Sequence, residues 1–199
     1  MSEVPSSRSR RSNILPLAVS LLAIIAGVVL ITRPAFLFPP ATPLTTSSGQ
    51  ASGLGRLPRE GEAVPDFELK TLDGGKVKLS NLHGSPVLIN FWATWCGPCK
   101  EEMPLIVEQY NWNKGHGLRV LAIDSVAFDN LDDIQKFVGQ YKMTFDVLLD
   151  EEDRISFDWA INGLPSSFFI KPDGTIARVH VGQMSADQLK DYLKLIVPN

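Results

Sequence analysis

Cys96 and Cys99 are the only cysteines among 199 residues, and they frame the tetrad Cys96-Gly97-Pro98-Cys99, followed by Lys100. Thiols at this spacing can close a reversible disulfide, contribute to a soft-metal site or, when a histidine follows, attach a haem. Lys100 stands where the haem histidine would be. A zinc site needs two further ligands, and His83, His116 and His180 have no finger-like spacing relative to the cysteines. A purely structural disulfide across so short a loop would constrain little of the unfolded chain. Thiol–disulfide exchange is the chemistry the pair fits best. An apolar run ends and a helical pattern begins at this point, so Cys96 faces unpaired backbone N–H groups and the positive end of a helix dipole, which favour its thiolate. Cys96 is the expected nucleophile, and Cys99, one turn on, the resolving thiol. Pro98 suits the first helical turn and stiffens the loop between the two sulfurs. In the implied cycle Cys96 attacks a partner disulfide, and Cys99 then displaces the partner as the Cys96–Cys99 bond closes.

The elements that must hold this pair read as a mixed α/β domain from about Gly61 onward, short β-branched runs alternating with helical stretches. Residues 67–69 and 77–79 look like edge strands around the turn Asp73-Gly74-Gly75. Residues 87–92 and 118–123 are nearly continuous apolar runs, as expected of central strands covered on both faces. A helix over about 97–112 joins them into a βαβ unit, with Pro104 expected to bend it. A second helix near 130–141 leads to a strand at 146–149. Residues 167–170 and 175–181 flank the turn Lys171-Pro172-Asp173-Gly174 as a hairpin, and a last helix is expected near 185–196. Trp95 is expected to border an exposed Cys96 and offer partners a flat contact, whereas Trp92, Phe168 and Phe169 are candidates for packing.

The first quarter of the chain differs. Arg8, Arg10, Arg11, Arg33 and Arg56 against Glu3 give residues 1–56 a balance of +4, and the total of −3 leaves −7 for residues 57–199. That acidic balance, with no cluster of basic residues interleaved with aromatics, argues against nucleic acid as a partner. Residues 13–32 carry no charge and, as a helix, would span roughly 30 Å, the thickness of a bilayer core. The arginines of residues 1–12 precede this run, so the N-terminus is expected in the cytoplasm and the rest outside a cell membrane crossed once. A cleaved secretory signal is the alternative, but Arg33-Pro34-Ala35-Phe36-Leu37-Phe38 supplies no small-residue cleavage site. Residues 33–56, rich in Pro, Ser, Thr and Gly, read as a flexible tether to an extracytoplasmic domain over 57–199.

With these pieces in place, Phe91 to Lys100 resembles the active-site segment of the thioredoxin-like superfamily, in particular its membrane-tethered TlpA/ResA/DsbE-type branch. The likeness runs from about Gly61 to the C-terminus and includes Cys99-Lys100-Glu101-Glu102-Met103-Pro104, Gly163-Leu164-Pro165-Ser166-Ser167-Phe168 and Lys171-Pro172-Asp173-Gly174. It implies a thioredoxin-like fold, a central mixed β-sheet flanked by helices with an extra N-terminal β-hairpin, preceded by one transmembrane helix. By itself Pro165 reads as turn punctuation before a strand. The resemblance makes it the family's cis-proline, lying against the dithiol and freeing the backbone of Leu164 to pair with an extended substrate. Trp95, Gly97, Pro98, Leu164 and Pro165 are then the expected substrate contacts.

Thioredoxin places a buried aspartate six residues before its first cysteine, where this chain has Asn90, which cannot act as a base. The TlpA/ResA/DsbE-type proteins give an equivalent role to a glutamate three residues after the second cysteine, and Glu102 stands there, on the same helix face as Cys99. Glu102 is read either as a solvated helix residue or, as the resemblance implies, as a desolvated carboxyl of raised pKa that relays the Cys99 proton. The resemblance further implies a reductant of protein disulfides in an oxidising compartment, the periplasm or the outer face of a bacterial membrane. Its electrons would come from a membrane thiol donor, and its substrates would include apocytochrome c, general reduction or oxidation of other protein disulfides being the alternative. No cofactor and no metal are required. Two other classes stay open: a peroxiredoxin-like peroxidase, although Thr94 stands two rather than three residues before Cys96, and a copper-type metal-binding module using the thiols.

Overall fold

The computed structural model describes residues 55–125 and 128–198. The basic N-terminus, the apolar segment 13–32 and nearly all of the tether lie outside these residues. Among the described residues no helix is long and apolar enough to cross a membrane. In chain order the elements are β1 (Glu68–Thr71), β2 (Lys76–Lys78), β3 (Val87–Trp92), α1 (Gly97–Asn113), β4 (Arg119–Asp124), α2 (Leu131–Tyr141), β5 (Asp146–Leu149), α3 (Arg154–Asp158), β6 (Ser166–Ile170), β7 (Ile176–Val181) and α4 (Ala186–Leu193). Single 3-10 turns occupy Leu79–Leu82 and Lys114–His116.

The seven strands form one mixed sheet in the order β2-β1-β5-β4-β3-β6-β7. β3, β4 and β5 run parallel, while β6 and β7 on one side and β1 and β2 on the other are antiparallel to their neighbours. The N-terminal hairpin is therefore present, with one correction: β2 is the edge, whereas β1 pairs on both sides, joining β5 through Lys70↔Leu149 and Thr71↔Leu148.

Strand periodicity divides the core between the two faces of the sheet. Leu88 and Trp92 of β3, Val120 and Ala122 of β4 and Phe169 of β6 pack on the face covered by α1, α2 and α4. Val87, Ile89, Phe91, Leu121, Ile123 and Phe168 pack on the other, around Trp159. Burial on both faces explains why β3 and β4 read as unbroken apolar runs. Asn90 and Asp124 fall on the α1 face by the same alternation, two polar residues at apolar-rich positions, and both are buried. Helix α1 turns Cys99, Glu102, Met103, Ile106 and Gln109 inward at helical spacing and continues as a helix through the exposed Pro104. Helix α2 begins at Asn130, whose side chain accepts from the N–H of Asp133. Helix α4 begins in a capping box of Ser185 and Gln188.

Candidate active site

Strand β3 delivers the chain to the C-terminal edge of the parallel strands, and Ala93-Thr94-Trp95 carries it into α1. Cys96 is the N-cap of α1: its backbone is extended, and its Sγ accepts the N–H of Cys99 at 3.2 Å. The sulfur thus takes one of the donors that a helix start leaves unpaired, the interaction expected to stabilise a thiolate there. Cys96 and Cys99 are joined in a disulfide with their Cα atoms 5.3 Å apart. The expectation of an exposed Cys96 needs correction, since it is 5 % exposed and Cys99 is less so. Its neighbours cover it, and access runs through a cleft whose lining includes Trp95, Cys96, Pro98, Phe128, Ile161 and Leu164. Trp95 stands out at the rim, 59 % exposed, beside an equally prominent Phe128. Gly97 also lines this cleft.

The loop before Cys96 is pinned to the segment between β4 and α2. The backbone N–H and the hydroxyl of Thr94 both donate to Asp129, at 2.6 and 2.7 Å, and the indole N–H of Trp95 donates to the C=O of Phe128 at 2.8 Å. Pro165 follows a cis peptide bond, is buried, and accepts the N–H of Gly182 through its C=O at 2.8 Å. Neither the N–H nor the C=O of Leu164 has a hydrogen-bond partner among the described residues.

Glu102 is buried, not solvated. Its Oε1 accepts the N–H of Met184 at 2.8 Å and its Oε2 accepts Nδ2 of Asn90 at 3.3 Å. Asn90 also donates to Oγ of Ser167, its register partner on β6, at 3.0 Å. Burial pushes the Glu102 carboxyl up from its ordinary value, and the hydrogen bonds from Met184 and Asn90 oppose part of that rise. The residue at the position of thioredoxin's aspartate therefore touches the carboxyl expected to replace it.

A second buried carboxyl is not among the residues the sequence pattern singles out. Asp124 closes β4 in register with Trp92, is 0 % exposed, and neither of its carboxyl oxygens has a hydrogen-bond donor among the described residues. Burial first, then the negative charge and proximity of Asp129 and the charge of Asp153, push it up to about 8. The signal available in the sequence was a carboxylate ending an apolar parallel strand, at the edge of an open α/β sheet where sites tend to lie. Among the described residues no group of three or more His, Cys, Asp or Glu is placed to hold a metal ion.

The AhpC/TSA family matches residues 61–179. The thiol-disulfide oxidoreductase ResA of Bacillus thuringiensis (strain Al Hakam) is 37% identical over 138 residues, 69% of this chain and 79% of that protein. Among solved structures, a Chlorobium tepidum chain assigned as the thiol:disulfide interchange protein DsbE superposes with a TM-score of 0.62 at 34% identity, covering 68% of this chain and 95% of that one. StoA from Bacillus subtilis gives 0.58 at 28% identity, over 67% and 100% of the respective chains.

Proposed function

Because this chain belongs to the AhpC/TSA family and is a thiol–disulfide oxidoreductase of thioredoxin-like fold, we propose that it reduces disulfides of extracytoplasmic proteins through Cys96 and Cys99. The observation that carries the reading is the Cys96–Cys99 disulfide at the start of α1, with the Glu102 carboxyl buried one turn beyond it. Reduced Cys96 attacks a partner disulfide as its thiolate, forming a mixed disulfide and releasing the partner's other sulfur as a thiolate that takes a proton from water. Glu102, held ionised long enough by Met184 and Asn90, accepts the proton of Cys99 and becomes neutral, the form its burial favours. The Cys99 thiolate then attacks Cys96, the partner leaves with both sulfurs reduced, and the Cys96–Cys99 bond closes. Trp95, Gly97 and Pro98 form the contact surface around Cys96, and the unpaired backbone of Leu164, ahead of Pro165, offers an extended substrate a strand-like partner.

Residues 13–32 anchor this domain in a cell membrane, with residues 1–12 in the cytoplasm and residues 57–199 outside, tethered by 33–56. A reductant in an oxidising compartment needs electrons, which a membrane thiol donor supplies. Disulfides of apocytochrome c haem sites are the preferred substrate within this reading. Two measurements test it. A Cys99→Ser chain should accumulate a mixed disulfide through Cys96 with a peptide carrying a Cys-x-x-Cys-His disulfide, seen by mass spectrometry; no adduct would exclude that substrate. The reduction potential, read by thiol trapping in glutathione buffers, should lie near about −270 mV, as for thioredoxin, whereas a value near about −120 mV would make the protein a disulfide donor.

A further inference from the structure

In the cycle above Met184 serves only to hold the charge of Glu102, yet the turn it belongs to reaches the backbone that receives a substrate. Met184, buried just ahead of α4, donates its N–H to Oε1 of Glu102 at 2.8 Å. Two residues earlier, Gly182 donates its N–H to the C=O of Pro165 at 2.8 Å, extending the ladder in which Val181 faces Ser166. Gly182 has a φ of 101°, a conformation that side chains rarely adopt, so the reversal between these two bonds is built into the chain. Val181 also packs against Gly163, where an added Cβ would stand 3.3 Å from its Cγ1. The turn therefore backs the segment 163–165, in which Leu164 keeps its N–H and C=O without partners among the described residues. Gln183 adds a solvent-exposed bond, donating to Glu101 at 3.1 Å. Helix α4 does not depend on these contacts, because the capping box of Ser185 and Gln188 serves its first turn. Loosening the Met184 bond frees the turn and leaves the helix in place.

We infer that the turn 181–184 is a positioning element for the thiol reaction, seating the Leu164 and Pro165 backbone for a substrate while Glu102 is a carboxylate and loosening that seat when Glu102 takes the Cys99 proton. This rests on the reading of Glu102 as the acceptor of that proton and of Leu164 as the substrate's strand partner. The step moves one proton and no electrons: the S–H bond of Cys99 breaks, an O–H bond forms on Glu102, and the negative charge passes to the Cys99 sulfur. A hydrogen bond to an ionised acceptor is roughly twice as strong as one to a neutral acceptor, so Met184 is held tightly before the transfer and loosely after it. The seat weakens just as the Cys99 thiolate displaces the partner, which favours the partner's departure. Burial, then the bonds from Met184 and Asn90, are what move the Glu102 carboxyl, and no charge is among those causes. On α1, Cys99 is tied in the disulfide and Glu101 is turned to Gln183. Asn90 on β3 and Ser167 on β6 do not titrate, and His180 of β7, in register with Ser167, has its ring against Tyr192. Asp124 is buried at the end of β4, and Asp187 and Lys190 of α4 are exposed.

The test uses the full chain in detergent micelles with the disulfide intact, so that no thiol titrates. The carboxyl 13C signal of Glu102 and the amide signals of Leu164, Gly182 and Met184 are followed from pH 4 to 9. Over the same range, calorimetry measures binding of a capped peptide with a Ser-x-x-Ser core and no titratable group. In the wild type all four signals should share one midpoint, and the peptide should bind about fivefold more tightly above it than below, the difference between a hydrogen bond to a charged and to a neutral acceptor. Saturating peptide should lower the Glu102 midpoint by the same factor, about 0.7 of a pH unit. Glu102→Gln should lose the common midpoint and bind at the weaker level throughout. If that variant fails to fold, the wild-type curves and the peptide-induced shift still decide. Leu164 and Gly182 amides that ignore the Glu102 titration, or an affinity that does not change across it, would overturn the inference. Reduction of a peptide disulfide at pH 7 is measured alongside. Failure there with the linkage intact would sink the thiol reading and, with it, the turn's role in the reaction, whereas activity without the linkage would sink the turn's role alone.

Discussion

Replacing Asp124 by Asn should change how the protein's stability depends on pH, and the size of the effect follows from burial. The ordinary value of an aspartate carboxyl is 3.8, and in the folded chain Asp124 is pushed up to about 8. Between those values the native state binds a proton that the unfolded state has lost, so stability falls as pH rises. The contribution is complete below the lower value and is lost by the time pH has passed the upper one. Each unit in this window is worth about 1.4 kcal/mol, so wild-type stability should decline by up to about 4 kcal/mol between pH 5 and 8, a large share of the roughly 5–15 kcal/mol that holds a domain together. An asparagine keeps the shape and has no proton to lose. Urea denaturation of the oxidised chain, followed by tryptophan fluorescence at one-unit steps from pH 5 to 9, gives the two curves. Glu102 and the surface carboxylates are common to both, so they cancel in the difference. That difference should grow in favour of Asp124→Asn up to about pH 8 and then level off. Parallel curves would mean that Asp124 is ionised in the folded protein and that its burial has been compensated by something other than its proton.

Glu102→Gln should slow turnover of a peptide disulfide by about a hundredfold or more, the usual range for loss of a positioned acid–base group, and should flatten the pH profile of the resolving step; unchanged stopped-flow rates across pH would remove Glu102 from the mechanism. Because the folded carboxyl is raised, its stability contribution is present at acid pH and lost as pH rises, so the Gln variant should gain stability over wild type in neutral and alkaline buffer. Asn90→Ala removes the donor to Oε2 of Glu102 and to Ser167, leaving the carboxyl only the Met184 N–H. It should cost about 1–3 kcal/mol and move the pH dependence of the resolving step upward, read from melting and from the same kinetics; a downward shift would contradict the direct Asn90–Glu102 contact.

The parts of the fold that were legible in the sequence are those where both faces of an element are constrained. β3 and β4 differ from the expected runs by no more than a residue at either end, because a strand buried on both sides admits few polar residues. Helix α2 and strand β5 also fall within a residue of their expected bounds. What escaped was short or set by distant partners. Helix α3 spans five residues, too few to establish a period, and depends on Asp150 accepting N–H groups of Ile155 and Ser156. The interior place of β1 is fixed by pairing with β5, far along the chain, and local pattern carries no trace of it. At the site, the Cys96–Cys99 pair announces itself by spacing, whereas Glu102 was singled out through the family resemblance and its burial is a finding of the fold. The burial of Cys96 does not announce itself either.

Asn90 and Asp124 belong to this second kind, and their surroundings set apart the two buried carboxyls, Glu102 and Asp124. Both occupy positions on the α1 face of the sheet that are otherwise taken by Leu88, Trp92, Val120 and Ala122. On the β6 side of β3, Asn90 turns an amide toward Glu102 and Ser167, so the Glu102 carboxyl meets two donors, which favour its charged form against burial. On the β4 side, in register with Trp92, Asp124 has no hydrogen-bond partner among the described residues, and burial with the charges of Asp129 and Asp153 pushes its carboxyl up to about 8. Desolvation alone would raise both groups alike. What separates the two carboxyls is hydrogen bonding: Glu102 accepts a backbone N–H and an amide, whereas Asp124 has no hydrogen-bond partner among the described residues. Taking the amide away should bring Glu102 closer to the second case: an Asn90→Asp chain places a carboxylate against Glu102, and Glu102 should then hold its proton to higher pH and lose the relay while Cys96 remains reactive to iodoacetamide.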